Sequence, residues 1–212
     1  MTKNVVLIDK MGSDLSVVNA ARVSFSKHVD KFDEDKDTKL INYLAKHDHW
    51  SPFGHASMQF HIKAPVFVAR QLVKHQVGLV WNEVSRRYVD SEPEFYTPEV
   101  WRGAPENKKQ GSSDIKIDID PTYFTKMMDD AKWTYEHLLE LGVCPEQARM
   151  VLPQSMMTEW YWSGTLYAFA RICNLRCKDD AQFETQIVAN QIDELAKGCF
   201  PVSWKALRND KE

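Results

Sequence analysis

Side chains able to bind an anionic or polar ligand concentrate in residues 69–88, ARQLVKHQVGLVWNEVSRRY. The basic members of this segment are Arg70, Lys74, His75, Arg86 and Arg87. Amide, carboxylate and hydroxyl groups lie between them, on Gln71, Gln76, Asn82, Glu83 and Ser85. In a half-buried segment, so many polar groups are costly unless a polar or anionic ligand satisfies them. Structural ion pairs with some of the 30 acidic residues are the alternative that the pattern leaves open.

Two arginines farther along the chain have a similar setting. Arg149 lies in the segment ARMVLP and Arg176 ends the segment NLR, so both have apolar neighbours. We therefore expect both side chains to point into a site rather than into water. No cysteine lies in the basic segment, and no Ser-His-acid arrangement supports Ser85 as a nucleophile.

Composition limits the classes of function. The formal net charge is -3, so no global basic field attracts nucleic acid. The one feature that would suit a nucleic acid is the presence of Trp81, Trp160 and Trp162 beside arginines, since their rings could stack bases. No apolar run approaches the length of a membrane span, and the N-terminal segment lacks the features of a signal peptide. The four cysteines do not have the spacing of a disulfide framework; they are Cys144, Cys173, Cys177 and Cys199. We expect a cytoplasmic protein with reduced thiols and with neither a nucleic acid nor a membrane partner.

The hydrophobic pattern predicts an α/β (α+β) fold in a single domain, residues 1–212, with helices packed around a small sheet. Strands are predicted over residues 4–8, 57–63 and 155–162. Helices are predicted over residues 14–25, 34–47, 65–76, 122–142, 145–152 and 181–197. Asp180 is the predicted N-cap of the last helix. Residues 103–121 are polar and contain Gly, Pro and Ser, which predicts a mobile surface loop near the site.

A histidine-rich stretch suggests a competing, metal-dependent site. Adjacent His47 and Asp48 are similar to the metal-binding pair of the HD phosphohydrolases. Those enzymes need a further upstream histidine and a downstream aspartate in helices, and His28 and Asp90 fit these positions poorly. A helix end accounts for His47 and the polar face of a strand accounts for His61, so we predict no metal site.

Six short motifs occur in a fixed order along the chain. They are HxH-x-SPFGH, ARQ-x(3)-H, NE-x-S-x-RY, EFY, ARMVLP and NLR-x(5)-Q. In this order and with these gaps, the sequence resembles the flavin-dependent thymidylate synthases over roughly residues 10–200. The resemblance implies a mainly antiparallel central sheet and a homotetramer with FAD in each of four active sites formed between subunits. It also implies methylation of dUMP to dTMP, with methylenetetrahydrofolate and NADPH as co-substrates.

The resemblance also implies roles for individual residues. Positions that match the family's dUMP contacts are Gln71, Glu83, Ser85, Arg86, Arg87, Arg149 and Arg176. Positions on the FAD side are Ser51, Lys74, His75, Gln76, Asn82 and Arg171. Catalytic roles are implied for His49 and for Arg176, which would stabilise negative charge developing on the uracil ring. In this family the reduced flavin supplies hydride, so no enzyme nucleophile is needed.

The sequence departs from the family pattern mainly on the flavin side. The family's signature is Arg-His-Arg, followed by seven residues and then Ser. The corresponding segment here is Lys74-His75-Gln76, followed by eight residues and then Ser85. Further positions that differ from the family are Gly54, Thr165, Tyr167, Arg171 and Asp180. These changes leave open a folate-dependent pyrimidine-nucleotide hydroxymethylase, which would trap the methylene group with water instead of hydride.

Overall fold

The structure, a computed structural model, describes residues 4–89, 91–106 and 111–208. Its strands are β1 (Val5–Met11), β2 (Ser57–Pro65), β3 (Leu79–Glu83), β4 (Trp101–Arg102), β5 (Lys116–Ile117) and β6 (Met157–Thr165). Its α-helices are α1 (Asp14–Arg22), α2 (Lys36–Lys46), α3 (Val66–Leu72), α4 (Pro121–Glu140), α5 (Pro145–Ala148), α6 (Leu166–Arg176), α7 (Phe183–Cys199) and α8 (Pro201–Arg208). Short 3-10 helices cover Val23–Phe25, Ser51–His55 and Arg149–Val151. The α/β (α+β) class predicted from the sequence is confirmed.

An antiparallel sheet with strand order β1-β2-β6-β3 lies at the centre of the fold. Its inner face carries Phe60 and Ile62 on β2, which pair with Trp162 and Trp160 on β6, and all four side chains are buried. The ring of Phe169 on α6 meets that of Phe60 edge-on, with 5.0 Å between centroids. Alternating apolar residues therefore place one face of β2 in the core, as the sequence pattern predicts.

Strand β3 is absent from the sequence prediction, which has a loop after Gly78. The strand pairs with β6, from Leu79 opposite Gly164 to Glu83 opposite Trp160. Two glycines permit this pairing: Gly78 has a φ of +77°, and a Cβ atom on Gly164 would collide with the side chain of Leu79. The strand fixes the backbone on both sides of Asn82 and Glu83, two of the predicted ligand contacts.

Helix α3 ends earlier than the predicted helix over residues 65–76. Its last residue is Leu72, and the N–H of His75 donates to the Leu72 carbonyl at 3.0 Å in the turn that follows. Lys74 and Gln76 also lie outside the helix, in the connection between α3 and β3. The reversal into β3, with its positive φ at Gly78, stops the helix before the apolar pattern does.

The predicted N-cap of the last helix, Asp180, is wrong. Helix α7 begins at Phe183 with Gln182 as its N-cap, and the Gln182 carbonyl accepts from the N–H of Gln186 at 2.9 Å. The residues before it form a turn in which the N–H of Ala181 donates to the Lys178 carbonyl and Ala181 is buried. This turn places Asp180 outside the helix end.

Two helices have no counterpart in the sequence pattern. Helix α6 is buried on most of its surface, so it shows no apolar stripe. The hydroxyl of Thr165 caps it by accepting from the N–H of Ala168 at 3.2 Å. Helix α8 begins against the buried carboxylate of Asp14, which accepts from the N–H groups of Val202 (3.0 Å) and Ser203 (2.8 Å). That cap comes from α1, far away in the sequence, so no local signal could predict it.

The predicted loop over residues 103–121 has paired ends. Strand β4 pairs with β5, and the N–H of Gly103 donates to the Ile115 carbonyl at 2.8 Å. Residues 107–110 of this segment lie outside the described residues, and its mobility stays a prediction. Among the helices of the described residues, none has the length and apolar character needed to cross a membrane.

Candidate active site

A cavity of about 600 Å³ lies beside the end of β3. Its guanidinium groups come from three elements: Arg70 on α3, Arg86 in the segment after β3, and Arg149 in a 3-10 helix. We call this cavity, lined by Arg70, Arg86 and Arg149, the arginine pocket. It joins Arg86, Arg149 and Glu83 from the predicted dUMP contacts. It adds Arg70, a member of the basic segment to which the sequence assigns no ligand.

Carboxylates that line the arginine pocket are bound to other partners. Glu94 and Glu159 both contact the ammonium group of Lys63, at 2.8 and 3.7 Å. Glu92 pairs with Lys132 of α4.

Among the described residues, Arg86 and Arg149 donate hydrogen bonds to backbone carbonyls. Arg86 donates to the Ser91 carbonyl, and Nε of Arg149 donates to the Glu146 carbonyl at 3.3 Å. None of the ion pairs formed within the described residues includes Arg70, Arg86 or Arg149. The structure therefore argues against the alternative that these arginines serve structural ion pairs, and it leaves their charge available to an anionic ligand.

Glu83 is held by hydrogen bonds to both carboxylate oxygens. Thr158 of β6 donates its hydroxyl to Oε1 at 2.8 Å, and the indole N–H of Trp81 donates to Oε2 at 3.1 Å. The Trp81 ring is itself stacked on the buried ring of Trp160, with 4.4 Å between centroids. The sequence reasoning missed this support, and it also offered the tryptophans as surfaces for base stacking. Their ring faces pack in the core instead.

Ser85 and Arg87 form a local pair next to the arginine pocket. The guanidinium Nε of Arg87 donates to the Ser85 hydroxyl at 3.0 Å, and its charge lies 4.9 Å from the ring centre of Tyr88. Neither Ser85 nor Arg87 lines the arginine pocket. Within the described residues, the hydrogen bonds of Ser85 include none to a histidine or an acid. Among these partners Ser85 has no general base, and its role as a binding residue stays a prediction.

A second group of predicted residues meets between α3 and α6. Nε of Arg176 donates to Nε2 of His75 at 3.2 Å, and we call these two residues the histidine–arginine pair. Burial lowers the pKa of His75, and the nearby charges of Arg176 and Arg171 lower this pKa further. Because an arginine keeps its protons, His75 accepts through Nε2, and its neutral ring carries the proton on Nδ1.

Gln71, four residues before His75, is hydrogen-bonded to α7. Its side-chain oxygen accepts from the hydroxyl of Thr185, which is buried on α7. That bond fixes the amide orientation and leaves the amide N–H groups as donors. Gln71 and Arg176 do not line the arginine pocket, so the structure divides the predicted dUMP contacts into two sets.

His49 and Ser51 lie at the start of the second 3-10 helix. Both are exposed, and the ring of His49 meets that of Tyr43 edge-on at 5.9 Å. Trp50 between them contacts the ring of Tyr167 on α6, with 6.3 Å between centroids. Arg171 lies one turn farther along the same helix, in a cleft of about 1090 Å³. Helix α6 therefore connects the His49–Ser51 segment to the histidine–arginine pair.

The residues predicted for the FAD side fit that group by their donor chemistry. Lys74 and Arg171 are exposed cations suited to a pyrophosphate, and His75 retains a donor at Nδ1. The other members of the set, Ser51, Gln76 and Asn82, are exposed hydrogen-bonding side chains. The set contains no carboxylate that would repel a phosphate.

The described residues contain one cluster of metal-ligating groups, formed by Cys173, Cys177 and Asp193. His47 and Asp48, the pair considered for an HD-type metal site, do not belong to it. His47 lies at the C-terminal end of α2, and His61 pairs with Glu159 at 2.9 Å on the sheet. Both positions agree with the structural roles predicted from the sequence.

The chain is similar to known proteins along most of its length. The profile of the family described as "Thymidylate synthase complementing protein" matches residues 6–202. The chain is 40% identical over 201 residues to a flavin-dependent thymidylate synthase of Thermus thermophilus, covering 94% of this chain and 73% of that protein. It is also 40% identical over 209 residues to the enzyme of the same name from Kosmotoga olearia, covering 96% and 89%.

A solved structure supports the same assignment. The UMP/dUMP methylase PolB of Streptomyces cacaoi, bound with 5-Br dUMP, superposes with a TM-score of 0.85 at 31% identity. The superposition covers 95% of this chain and 93% of that protein. With these matches spanning nearly the whole length, the chain belongs to the thymidylate synthase-complementing protein family, the family of the flavin-dependent thymidylate synthases.

Proposed function

We propose that this enzyme reductively methylates dUMP to dTMP, with methylenetetrahydrofolate as carbon donor and with FAD and NADPH as the source of hydride. The observation that carries the proposal is the arginine pocket. Its guanidinium groups have no carboxylate partner among the described residues, although the cavity is lined by carboxylates bound elsewhere. This arrangement suits a phosphate monoester, and the family supplies the reaction.

The phosphate of dUMP is assigned to the arginines near the end of β3. Arg149 provides a guanidinium group from within the arginine pocket, and Arg87 provides one from beside it. Ser85 and the backbone of Arg86 complete the set of donors. Glu83 accepts a hydrogen bond from the nucleotide, because its carboxylate is already oriented by Thr158. These contacts do not change during the reaction, so they contribute to binding rather than to turnover.

The uracil ring is assigned to the histidine–arginine pair. Arg176 stabilises the negative charge that develops on the uracil carbonyls as C5 becomes nucleophilic. His75 holds the Arg176 guanidinium in place without adding positive charge, and Gln71 offers amide donors from the adjacent helix. A charged hydrogen bond made only in the transition state is worth roughly 1.5–3 kcal/mol.

FAD is assigned to residues around α6 and the turn after α3. Ser51, Lys74, Gln76, Asn82 and Arg171 would hold the cofactor, with His75 at the boundary between flavin and nucleotide. When bound, the flavin supplies the hydride that completes the methyl group. His49 is assigned a catalytic role beside it. The enzyme needs no covalent nucleophile in this scheme, and the Ser85 hydroxyl is assigned to binding, where it accepts from Arg87.

We propose a homotetramer, because the predicted dUMP contacts of one subunit fall into two separate sets. We propose that the arginine pocket of one subunit and the histidine–arginine pair of another face the same nucleotide. Light scattering tests this arrangement: a stable, fully active monomer of 24.6 kDa would contradict it. The cytoplasmic location predicted from the sequence is retained as part of the proposal.

The function is tested by incubating the purified protein with dUMP, methylenetetrahydrofolate, NADPH and FAD, and identifying the nucleotide product by mass spectrometry. We expect dTMP, and we expect its formation to stop when FAD is removed. A colourless protein that also fails to take up FAD added at high micromolar concentration would contradict the flavin assignment. A product heavier than dTMP by one oxygen atom would identify the hydroxymethylase instead. UMP is assayed beside dUMP, because the related solved structure is of a UMP/dUMP methylase.

A further inference from the structure

Two thiols and a carboxylate meet at the C-terminal end of α6. The sulfur atoms of Cys173 and Cys177 and a carboxylate oxygen of Asp193 lie within 4.8 Å of one another. Cys173 is buried, whereas Cys177 is half-buried and ends the helix as its C-cap. None of these residues has a role in the proposed dUMP or FAD contacts.

The carboxylate of Asp193 already has hydrogen-bond donors, which argues against a metal ion in this cluster. Oδ1 of Asp193 accepts from Nε of Arg208 at 2.7 Å and from the indole N–H of Trp204 at 2.9 Å. The Arg208 guanidinium therefore provides the positive charge that a cation would bring to the carboxylate. A cation added beside this guanidinium would be repelled, so the chemistry of the cluster is that of its thiols.

The surroundings give the two thiols different reactivities. The neighbouring Cys173 side chain lowers the pKa of Cys177, and the Arg208 charge contributes to this lowering. The Cys173 thiol itself donates to the Ala189 carbonyl at 3.6 Å. Burial raises the pKa of Cys173 well above its usual value. Cys177 is thus the nucleophile that can reach a small oxidant, and Cys173 is the neighbouring thiol that can resolve the product.

We propose that Cys177 and Cys173 form a reversible oxidation site for hydroperoxides. The Cys177 thiolate attacks the peroxide oxygen and breaks the O–O bond, giving a sulfenic acid and releasing hydroxide or alkoxide. Sulfur of Cys173 then displaces the sulfenic oxygen as water, and the disulfide forms with loss of both thiol protons. Residues four apart in a helix have Cα atoms about 6 Å apart, within the range that a disulfide spans.

Oxidation at this site changes the position of Arg176. Arg176 precedes Cys177 in the last turn of α6, and drawing Cys177 toward Cys173 distorts the backbone that carries the guanidinium. Loss of turnover on oxidation follows from this geometry, and this consequence alone rests on the proposed function. Formation of the disulfide does not depend on it.

Trypsin digestion gives a direct test, since cleavage after Arg171, Arg176 and Lys178 places the two cysteines in separate peptides. The reduced protein is treated with hydrogen peroxide, its remaining thiols are alkylated, and the digest is analysed by mass spectrometry. We expect residues 172–176 linked to residues 177–178, with the link removed by dithiothreitol. Cys177→Ser should abolish the linked species, whereas Cys144→Ser, at an exposed cysteine, should leave it unchanged.

The result that overturns the proposal is oxidation of Cys144 while Cys173 and Cys177 both remain alkylated as thiols. Conversion of Cys177 to sulfinic acid without the linked peptide would also overturn it. Turnover is measured in parallel: we expect peroxide to lower kcat reversibly in the wild type and not in Cys177→Ser. A disulfide that forms without any loss of turnover would refute the effect on Arg176. A protein that never forms dTMP would instead refute the proposed function, since the peptide measurement remains valid.

Discussion

The two sets of predicted dUMP contacts differ in how the protein surrounds their charges. In the arginine pocket, Arg149 and the additional Arg70 are exposed, whereas Arg86 is half-buried, and the hydrogen bonds of Arg86 and Arg149 within the described residues go to backbone carbonyls. In the histidine–arginine pair, Arg176 is half-buried and its Nε is directed by His75. An exposed guanidinium attracts a phosphate but is screened by water, whereas a half-buried and oriented one acts on charge that forms close to it.

This difference predicts a division of labour. The arginine pocket should contribute to the affinity for a group that does not react, and the histidine–arginine pair should contribute to the rate. Separate measurements of KM and kcat can therefore show whether the two sets differ in this way.

The largest effect is expected for Arg176→Ala. The substitution removes the guanidinium assigned to the uracil ring, so kcat should fall by about 10–100-fold, as roughly 1.5–3 kcal/mol of stabilisation is lost. Saturating dUMP should not restore the rate. Steady-state kinetics are compared on protein shown to be folded and oligomeric, because a half-buried arginine also contributes to structure. An unchanged kcat with a raised KM would assign Arg176 to binding and remove the contrast with the arginine pocket.

The next effect is expected for Arg149→Ala. Loss of one charged contact to a nonreacting phosphate should raise the KM for dUMP by about 10–100-fold and leave kcat close to the wild-type value. Lys126→Ala is a matched control, since this substitution removes an exposed cation on α4, away from the arginine pocket. If Arg149→Ala lowered kcat at saturating dUMP, its exposed guanidinium would have a role in the reaction itself.

The sequence predicted the elements whose pattern is local. Alternation at Phe60 and Ile62 identified β2. The ordered motifs supplied the predicted members of both contact sets, whose binding to dUMP stays a prediction. The hydrophobic pattern missed α6, a helix that only the family resemblance implied, because most of its residues are buried and show no stripe. It also missed how Glu83 is held, since Thr158 lies 75 residues away. Contacts made by the antiparallel pairing of β3 with β6 have no local signature in the chain.

A smaller effect is expected when Glu83 loses that distant partner. Thr158→Val keeps the shape of the side chain but removes the hydroxyl that donates to Oε1 at 2.8 Å. With the carboxylate less firmly oriented, KM for dUMP should rise about fivefold, for a loss of about 1 kcal/mol. Thr158→Ser should restore the affinity because it returns the donor. Equal defects in the valine and serine variants would show that Thr158 acts through packing and not through Glu83.

A still smaller effect is expected for Ser85→Ala. Its hydroxyl contributes one neutral hydrogen bond, so kcat/KM should fall only about two- to threefold, for roughly 0.5 kcal/mol. Arg87→Ala, which removes the charged donor to that hydroxyl, should cost more in KM. Complete loss of turnover in Ser85→Ala, with dUMP and flavin still bound, would establish a covalent role that the structure does not support.

The smallest effect is expected in how the free energy of unfolding depends on pH. It tests whether His75 is neutral where it lies against Arg176. Because the folded protein lowers the pKa of His75, the unfolded chain takes up the proton first as the pH falls through about 6.5. The free energy of unfolding should therefore be unaffected by His75 above this pH. Below it, the free energy should decrease until the pH reaches the lowered pKa of the folded state.

Urea unfolding at pH 7.5 and 5.5 measures this dependence. His75→Gln keeps an oxygen that can accept from Arg176 but cannot titrate, so the variant should lose less stability on acidification than the wild type. His28→Gln, at a side chain that is 72% exposed, provides the matched control and should behave as the wild type does. If acidification destabilised His75→Gln as much as the wild type, a neutral His75 would not be what distinguishes the histidine–arginine pair from the arginine pocket. The orientation of Arg176 would then have to come from its position on α6 alone.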